Sequence, residues 1–335
     1  MCDHSKVYPL FSVIIPVYNM EKFIKRAINS VLLQNIDNFE LIVVDDGSTD
    51  EGAVVIEGID DPRIKLIKQP NKGVASARNT GVLNAKGEWV AFLDADDLWG
   101  TEHLSELKDL IKKFPDAGMV CTSSREVING GDTSFLDIGH KEIHKKIDYF
   151  KSASVQIGIV HTSSVAIEKK IFEKLSGFSN YKLGQDLELW ARVALETVVA
   201  KSFRPTVVYF RGTGGAIETQ MEWTKISSRP IPQSLQDISP SVSTLSKRLP
   251  MLSADSDSDS DLYWSVVSYI NGRLSKSIRG AFIQGDTHRM KGISRLRIVP
   301  CGEDSYKWFL ISKLPLWLLT GLSRIREFIK NSYRK

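Results

Sequence analysis

The stretch FSVIIPVYN, residues 11–19, is an unbroken apolar run that ends in polar residues. Such a run is typical of a strand that is buried on both faces of a parallel sheet. Asn19 can cap a helix that starts immediately afterwards. The segment that follows repeats apolar residues at helical spacing, which makes one apolar face: Met20, Phe23, Ile24, Ala27, Ile28, Val31 and Leu32. The sequence therefore predicts a buried strand followed by an amphipathic helix.

The same alternation continues to about residue 125. Further strands are predicted over residues 41–44, 64–67, 89–93 and 117–123, and helices over residues 73–85 and 101–114. Strands separated by single helices indicate a doubly wound sheet. We predict an α/β fold with a mostly parallel sheet flanked by helices, followed by a helical C-terminal appendage.

Composition excludes several classes of protein. The 335 residues are 42% hydrophobic and 25% charged, which is ordinary for a globular protein and excludes wholesale disorder and a multi-span membrane protein. Three separated cysteines without a C-x-x-C pair give no support to a disulfide framework or a structural zinc site. The first twenty residues lack the apolar run of a secretory signal. We expect a cytoplasmic location.

Charge is distributed unevenly along the chain. Residues 262–335 contain 14 Lys and Arg against 4 Asp and Glu, so this end carries +10 and the remainder −6. A basic end favours an anionic surface. We divide the chain into an α/β domain over residues 1–223, a Ser/Pro/Asp-rich linker over residues 224–261, and a helical region over residues 262–335.

Polar clusters follow three of the predicted strands. Residues 16–19 end the first strand, 45–48 the second and 94–97 the fourth, and ligands of open α/β sheets bind at this edge. Alternate residues of a strand point to one side, so Asp94 and Asp96 are expected to form a hard oxygen site for Mg²⁺ or Mn²⁺. The alternative is that these acids only cap turns and helices.

No P-loop, no G-x-G-x-x-G and no G-x-S-x-G motif is present, which argues against an NTPase, a dinucleotide-binding protein and an α/β-hydrolase. Four linked motifs resemble instead the family 2 glycosyltransferases of the GT-A fold. They are VIIPVYN (13–19), IVVDDGSTD (42–50), NKGVASARNTGV (71–82) and WVAFLDADD (89–97). The resemblance covers about residues 10–215, and the family's usual Glu-Asp pair is Gln185-Asp186 here.

The resemblance implies a role for each matching residue. Pro16 and Tyr18 would line the nucleotide base pocket, Asp46 or else Asp45 would bond the base, and Arg78 would approach the diphosphate or the donor sugar. Further donor-binding positions that the resemblance implies are Asp94, Ala95 and Arg211. The resemblance also implies that Asp96 is a ligand of Mn²⁺ or Mg²⁺, with His161 as a further candidate ligand. It implies that Asp186 is the catalytic base.

The implied activity is that of an inverting, metal-dependent hexosyltransferase of the bacterial surface-polysaccharide type. It would move a sugar from a nucleotide diphosphate-sugar, expected to be UDP-linked, to a hydroxyl of a glycan or lipid-linked glycan. Residues 220–223 lack the Arg of the Q-x-x-R-W motif of processive synthases, so single transfers are expected. The alternative is a non-catalytic nucleotide- or glycan-binding relative. No sequence feature supports a nucleic-acid partner.

Several of these residues also have a purely structural interpretation. Tyr18 could be a buried aromatic at the end of a strand, and Arg78 could lie on a solvated helix face. Asp186 could simply favour the first turn of a helix through the helix dipole. For Trp190 a core position is favoured over a platform for an acceptor sugar, and a lone histidine such as His161 is more often structural.

The end of the chain contains an apolar window, residues 308–322, that is too short to cross a bilayer and contains Lys313 and Pro315. From Leu316 onward a helix would align an apolar stripe opposite a basic one. Such a helix suits the surface of an anionic membrane, with Trp308 and Trp317 as anchors. The alternative is docking on the protein's own core. We expect a peripheral location on the inner face of the cell membrane.

Overall fold

The computed structural model describes residues 8–128, 144–211, 230–252, 260–284, 286–298 and Leu314. The chain divides into two compact units that interleave along the sequence. The first consists of residues 1–147 and 158–219, and the second of residues 148–157 and 220–335.

Within the described residues, the first unit is built on one sheet of nine strands. In chain order these are β1 (Phe11–Val17), β2 (Phe39–Asp45), β3 (Ile64–Lys68), β4 (Trp89–Phe92), β5 (Leu98–Trp99), β6 (Ala117–Ile128), β7 (His144–Ile147), β8 (Val165–Glu168) and β9 (Val198–Arg211). Their spatial order is β3-β2-β1-β4-β8-β6-β9-β5, and β7 pairs with β9.

The helices of the described residues, in chain order, are α1 (Glu21–Leu32), α2 (Gly52–Glu57), α3 (Val74–Leu83), α4 (His103–Lys113), α5 (Tyr149–Val155), α6 (Lys169–Lys174), α7 (Gln185–Glu196), α8 (Pro240–Arg248), α9 (Ser260–Ile283) and α10 (Thr287–Ser294). Helices α1 to α4, α6 and α7 belong to the first unit. Helices therefore alternate with strands through the part of the chain that carries the motifs.

The sheet is parallel in one half and mixed in the other. Strand β1 pairs in parallel with both β2 and β4, and β2 pairs in parallel with β3. Strand β8 then lies antiparallel between β4 and β6, while β6 and β9 are parallel to each other. The predicted α/β fold is confirmed. The parallel pairing is interrupted at β8, which lies antiparallel to both of its neighbours.

Strand β1 contains no polar residue other than Ser12, because the strand lies in the core. Every residue of β1 is buried, and α1 packs Ile24, Ile28 and Val31 into the same cluster. Helix α3 approaches β1 so closely that a Cβ added at Gly81 would lie 2.4 Å from Ile14 Cγ2. This close packing fixes the position of α3, which carries Arg78.

The second unit contains α5, α8, α9 and α10. Helix α8 falls inside the predicted linker, residues 224–261, and it is a folded element: Ser239 caps it, Pro240 starts it, and Val242 and Leu245 are buried. Part of that segment is therefore core rather than linker, since a Ser-Pro start suits a helix as well as a loop.

The predicted C-terminal amphipathic helix, from Leu316 onward, lies outside the described residues. Among the helices that are described, none combines the length and the apolarity needed to cross a bilayer.

The buried carboxylate of Glu106 connects α4 to strands β7 and β9. Glu106 Oε1 accepts a hydrogen bond from Ser202 Oγ at 2.6 Å and lies 2.7 Å from His144 Nε2. Its other oxygen lies 3.5 Å from Arg204 Nη1. Burial acts to raise the pKa of Glu106, but these hydrogen bonds and the charges of His144 and Arg204 outweigh it, so the pKa is lowered.

We therefore expect Glu106→Gln to lower the free energy of unfolding by ~1–3 kcal/mol at neutral pH, the usual cost of a disrupted buried hydrogen-bonded group. A lowered pKa stabilises the fold above the unfolded-state pKa of glutamate, and that stabilisation is lost as the pH falls through the folded-state pKa. Urea unfolding at neutral and acid pH should show the gap between wild type and variant closing on acidification. A gap that is independent of pH would contradict this role.

Candidate active site

The carboxyl ends of β1, β2 and β4 meet at one edge of the sheet, because these strands are parallel neighbours. Pro16 lies inside β1, buried and paired with Val44, whereas Tyr18 follows the strand and is 47% exposed. Tyr18 is thus not the buried strand-end aromatic of the structural alternative. Its ring is available at the edge where a planar base would bind.

Asp46 organises the loop beside Tyr18. Its carboxylate is buried and accepts hydrogen bonds from Gln69 Nε2 at 2.7 Å, from Lys72 N at 2.9 Å and from Gly73 N at 2.8 Å. These bonds hold the segment that leads into α3. The sequence predicted base recognition by Asp46. The structure shows loop support, and base recognition stays a prediction.

Asp45 supports the adjacent turn, since its Oδ1 accepts from Ser48 N at 3.0 Å. Gly47 in that turn has a φ of +75°, and a Cβ there would lie 2.8 Å from Asn71 N. Glycine is therefore required by both conformation and space. The loops after β2 and β3 therefore pack backbone against backbone.

Arg78 is a buried cation on α3. It is only 4% exposed, its Nη2 donates to Asp94 Oδ1 at 2.6 Å, and its guanidinium carbon lies 5.3 Å from the centre of the Phe178 ring. The alternative of a solvated helix-face arginine is therefore wrong. Arg78 Nε and Nη1 are buried and have no hydrogen-bond partner among the described residues. Unpaired buried donors of this kind point to an anionic or polar ligand, because leaving them unsatisfied is costly.

The acidic D-x-D segment is a turn, not a strand end. Strand β4 stops at Phe92, and Asp97 N donates to Asp94 O at 3.0 Å. The expectation that strand alternation sets Asp94 and Asp96 on one side therefore does not apply. Ala95 is buried in the core, so only its main chain is left to contact a sugar donor. The main-chain oxygen of Asp96 accepts a hydrogen bond from Arg26 Nη2 at 2.7 Å.

Ser163 holds this turn in place, a role that the sequence did not reveal. Its Oγ donates to Asp97 Oδ2 at 2.5 Å and accepts from Asp94 N at 3.1 Å, and its carbonyl accepts from Trp99 Nε1 at 2.6 Å. Asp97 is fully buried, and burial together with the charges of Asp94 and Asp96 raises its pKa well above the ordinary range. Asp97 is therefore an anchor for the turn. The sequence feature that could have indicated this role of Ser163 is the run of hydroxyl residues 162–164 directly after His161.

His161 caps the short helical turn that contains Ser163. Its Nδ1 accepts from Ser163 N at 3.3 Å, and its ring centre lies 4.5 Å from that of Tyr209. Burial lowers the pKa of His161, although the charges of Asp94 and Asp186 oppose this. The hydrogen bond and the ring contact give His161 a structural role. Metal ligation by His161 stays a prediction.

Asp186 lies in the first turn of α7, after Gly184 with a φ of +75°. It is partly exposed, and its charge, like those of Arg78 and Asp94, acts on His161. Asp186, Arg78 and Asp94 therefore all lie within electrostatic range of His161, although they come from three separate motifs of the sequence. The role of Asp186 as catalytic base stays a prediction.

Other residues of α7 are structural. Glu188 is buried and pairs with Arg192 at 2.8 Å. Trp190 is fully buried and packs edge-on against Phe178 at 5.9 Å between ring centres. The core interpretation of Trp190 is confirmed, and a platform for an acceptor sugar at this residue is wrong.

Arg211 lies at the end of β9, where its Nε pairs with Glu126 Oε1 at 2.6 Å. Residues 212–229, which follow it, are outside the described part of the chain. Closure of Arg211 over a diphosphate stays a prediction.

The carboxylates of the acidic turn suit a divalent cation that also binds an oxygen of a ligand. Among the described residues, no group of three or more His, Cys, Asp or Glu side chains is arranged to hold a metal ion. Asp94 gives one oxygen to Arg78, and both carboxylate oxygens of the buried Asp97 already accept hydrogen bonds, from Ser163 Oγ and Phe210 N. Asp94 and Asp96 can supply two carboxylates at most. Mg²⁺ is typically held by one or two carboxylates together with phosphate oxygens and water, so the residues fit such an ion.

The sheet and its flanking helices have a fold of the GT-A type. S. aureus TarS 1–349, solved with UDP-GlcNAc, is similar in fold with a TM-score of 0.63 and 19% identity, over 97% of this chain and 91% of that one. The mannosyltransferase PcManGT from Pyrobaculum calidifontis, solved with GDP-Man and Mn²⁺, has a TM-score of 0.53 and 16% identity, over 96% of this chain and 88% of that one.

The family model described as glycosyl transferase family 2 matches residues 12–176. An uncharacterised glycosyltransferase of Haemophilus influenzae is 35% identical over 182 residues, which cover 52% of this chain and 68% of that protein. A second, alr2836 of Nostoc, is 35% identical over 49% of this chain and 52% of its own length. The chain belongs to glycosyl transferase family 2.

The hydrogen bonds of Asp46 generate a first prediction for the site. Asp46→Asn places an amide N–H₂ against donors that now meet a carboxylate, so we expect a loss of about 1–3 kcal/mol in unfolding free energy. Amide hydrogen exchange should quicken at Lys72 and Gly73. Asp60→Asn, a change at an exposed acid, is the matched control. Unchanged protection of both amides would rule out the loop-supporting role.

Proposed function

We propose that this protein transfers a single sugar from a nucleotide diphosphate-sugar to an acceptor hydroxyl, with inversion at the anomeric carbon. The observation that carries the proposal is the buried Arg78, which pairs with Asp94 and keeps two further donors unsatisfied at the edge where the nucleotide motifs meet. UDP-GlcNAc in TarS and GDP-Man in PcManGT support a nucleotide-sugar donor.

Each part of the donor has a matching group at this edge. The exposed ring of Tyr18 would stack on the base, with uracil as the expected one, while Asp46 keeps the adjacent loop in shape. Arg78 Nε and Nη1 would donate to diphosphate oxygens, because an arginine fork suits phosphate geometry. Asp94, held by Arg78, would face the ribose or the donor sugar.

Asp96 would hold Mn²⁺ or Mg²⁺ at the diphosphate. The bound ion would supply Lewis-acid stabilisation of the negative charge that develops on the leaving group. The Mn²⁺ in the PcManGT complex supports this assignment. Arg78 contributes a fixed positive charge for the same purpose, with no rearrangement needed because Asp94 and the core already orient it.

The transfer step then needs only one proton acceptor. Asp186 takes the proton of the acceptor hydroxyl as that oxygen forms a bond to the anomeric carbon. The bond between that carbon and the diphosphate oxygen breaks, and its electron pair leaves with the nucleotide diphosphate. Glu188 is unsuited to the role of base, because it is buried and paired with Arg192.

The acceptor is proposed to be a glycan or a lipid-linked glycan of bacterial surface-polysaccharide synthesis. Residues 308–335 are proposed to place the enzyme on the inner face of the cell membrane. Both proposals are supported by the sequence pattern of a basic, aromatic-flanked apolar stripe, since such segments bind anionic interfaces.

The metal assignment is tested by calorimetry of UDP binding. Mn²⁺ is expected to strengthen UDP binding to wild type, and Asp96→Ala should reduce that gain by about tenfold or more, because even supporting groups of metal sites contribute this much to metal affinity. Asp60→Ala serves as control. Equal UDP affinity with and without Mn²⁺ in all three proteins would exclude a metal at Asp96.

The transferase activity itself is tested at Asp186. Asp186→Asn keeps the shape of the side chain and removes the base, so turnover should fall by ~10²–10⁴-fold while UDP binding persists. Release of UDP from a panel of UDP-sugars with glycan acceptors measures turnover, and Glu173→Gln, at an exposed acid on α6, is the control. Turnover near the wild-type rate would place the base elsewhere. Donor binding without turnover in wild type, across donors and acceptors, would favour the non-catalytic alternative.

The membrane proposal is tested by co-sedimentation with anionic liposomes. The full chain should bind and be released only partly by high salt, because each basic residue contributes ~1 kcal/mol that salt screens, whereas buried apolar side chains are insensitive to salt. A truncation that ends at Ser305 should stay unbound and keep its affinity for UDP. Aggregation of the truncation, or loss of UDP binding, would show that the segment belongs to the protein's core instead.

A further inference from the structure

A groove of about 490 Å³ runs along the outer side of α1, separate from the residues assigned to the donor. This volume lies within the ~300–1,000 Å³ range of small-ligand sites. Its lining includes three cations and no carboxylate: Lys22, Lys25 and Arg26, together with Asn29, Leu98 and Thr101. A recess with this charge attracts anions.

The walls of the groove are preformed. Strand β5 and the residues after it are attached to α1 by hydrogen bonds from Trp99 N to Ser30 Oγ at 3.2 Å, from Gln34 Nε2 to Gly100 O at 2.8 Å and from Asn35 N to Thr101 O at 2.9 Å. The groove therefore does not depend on a mobile side chain for its shape.

The cations of the groove are available to a ligand. Lys22 and Lys25 are exposed, and neither forms an ion pair within the part of the chain that the structure describes. Arg26 stacks on the Phe210 ring at 4.0 Å, and its Nε is buried without a hydrogen-bond partner in the same described part. An acceptor oxygen in the groove would satisfy that donor.

We propose that this groove binds an acidic saccharide through a carboxylate or phosphate group, at a site distinct from the donor nucleotide. The anionic group would sit between Lys22, Lys25 and Arg26. Asn29 and Thr101 offer partners for sugar hydroxyls, and Leu98 offers an apolar surface for the ring face. That this saccharide is the growing acceptor chain rests on the proposed transferase function.

Arg26 gives the groove a connection to the active site. Its Nη2 donates to the carbonyl of Asp96 at 2.7 Å, so the same guanidinium contacts the groove and the acidic turn. An anion bound at Arg26 Nε would fix the guanidinium in the orientation that supports this turn. A bound acidic chain would thereby support the segment that carries the D-x-D acids.

The test is a titration of full-length protein followed by amide NMR, with the donor site first saturated with UDP and Mg²⁺. Shifts at Tyr18 and Gly73 in that first step report donor binding, and so they test the proposed function separately. Glucuronate and glucose 6-phosphate are then added, with glucose as the neutral probe. We expect both acids, but not glucose, to shift the amides of Lys25, Asn29 and Leu98.

A double variant, Lys22→Gln with Lys25→Gln, should weaken binding of both acids by about tenfold, the effect of losing two exposed charge pairs. Lys86→Gln with Lys112→Gln changes the same charge at exposed lysines outside the groove and should leave affinity unchanged. Equal losses in the two double variants would overturn the site. Inorganic phosphate binding as tightly as glucose 6-phosphate, or shifts in these amides only with anionic lipid vesicles, would overturn the assignment to a saccharide.

Discussion

Arg78 carries a positive charge to a position where only 4% of its surface is exposed, and Asp94 is the carboxylate that compensates it. A buried charge needs both an opposite charge and hydrogen-bond partners. The pair joins α3 to the turn after β4, so the two motifs of the sequence that contain these residues are mutually dependent. The rest of the edge is arranged around this ion pair, with Ser163 below the turn and Phe178 beside the guanidinium.

The supporting interactions explain why the site can be rigid before any ligand binds. Ser163 connects Asp94 N to the buried Asp97, and Asp46 holds the loop that leads into α3. Arg78, Asp94 and the loop before α3 are thus held in place before a ligand binds. Preorganisation of this kind is what electrostatic stabilisation of a developing charge requires.

Much of the fold could be predicted from the sequence, because β1 and β2 are continuous apolar runs and α1 has a clear apolar face. Strands β5 and β8 have two and four residues, too few to show a period, and their pairing is decided by contacts far away in sequence. The antiparallel pairing of β5 and β8 was therefore not predicted. Helix α8 was missed because Ser and Pro residues suit a linker and a helix start equally well.

The residues of the candidate site could be predicted from the sequence motifs. The orientations of their side chains could not be predicted. Asp94 and Asp96 were placed by strand alternation, but β4 ends at Phe92 and a turn sets their directions. Burial decided between the alternative interpretations of Arg78 and Trp190. Burial depends on the whole fold and not on a local sequence pattern. Ser163 escaped notice because its three partners are more than sixty residues away along the chain.

The most direct measurement is the affinity of UDP and of uridine for wild type and Arg78→Lys. If the unsatisfied donors of Arg78 bind the diphosphate, the variant should lose ~10–100-fold in UDP affinity, the value of a charge-assisted hydrogen bond, and keep its affinity for uridine. An unchanged UDP affinity, or an equal loss for UDP and uridine, would contradict the account of this edge as a nucleotide-diphosphate site.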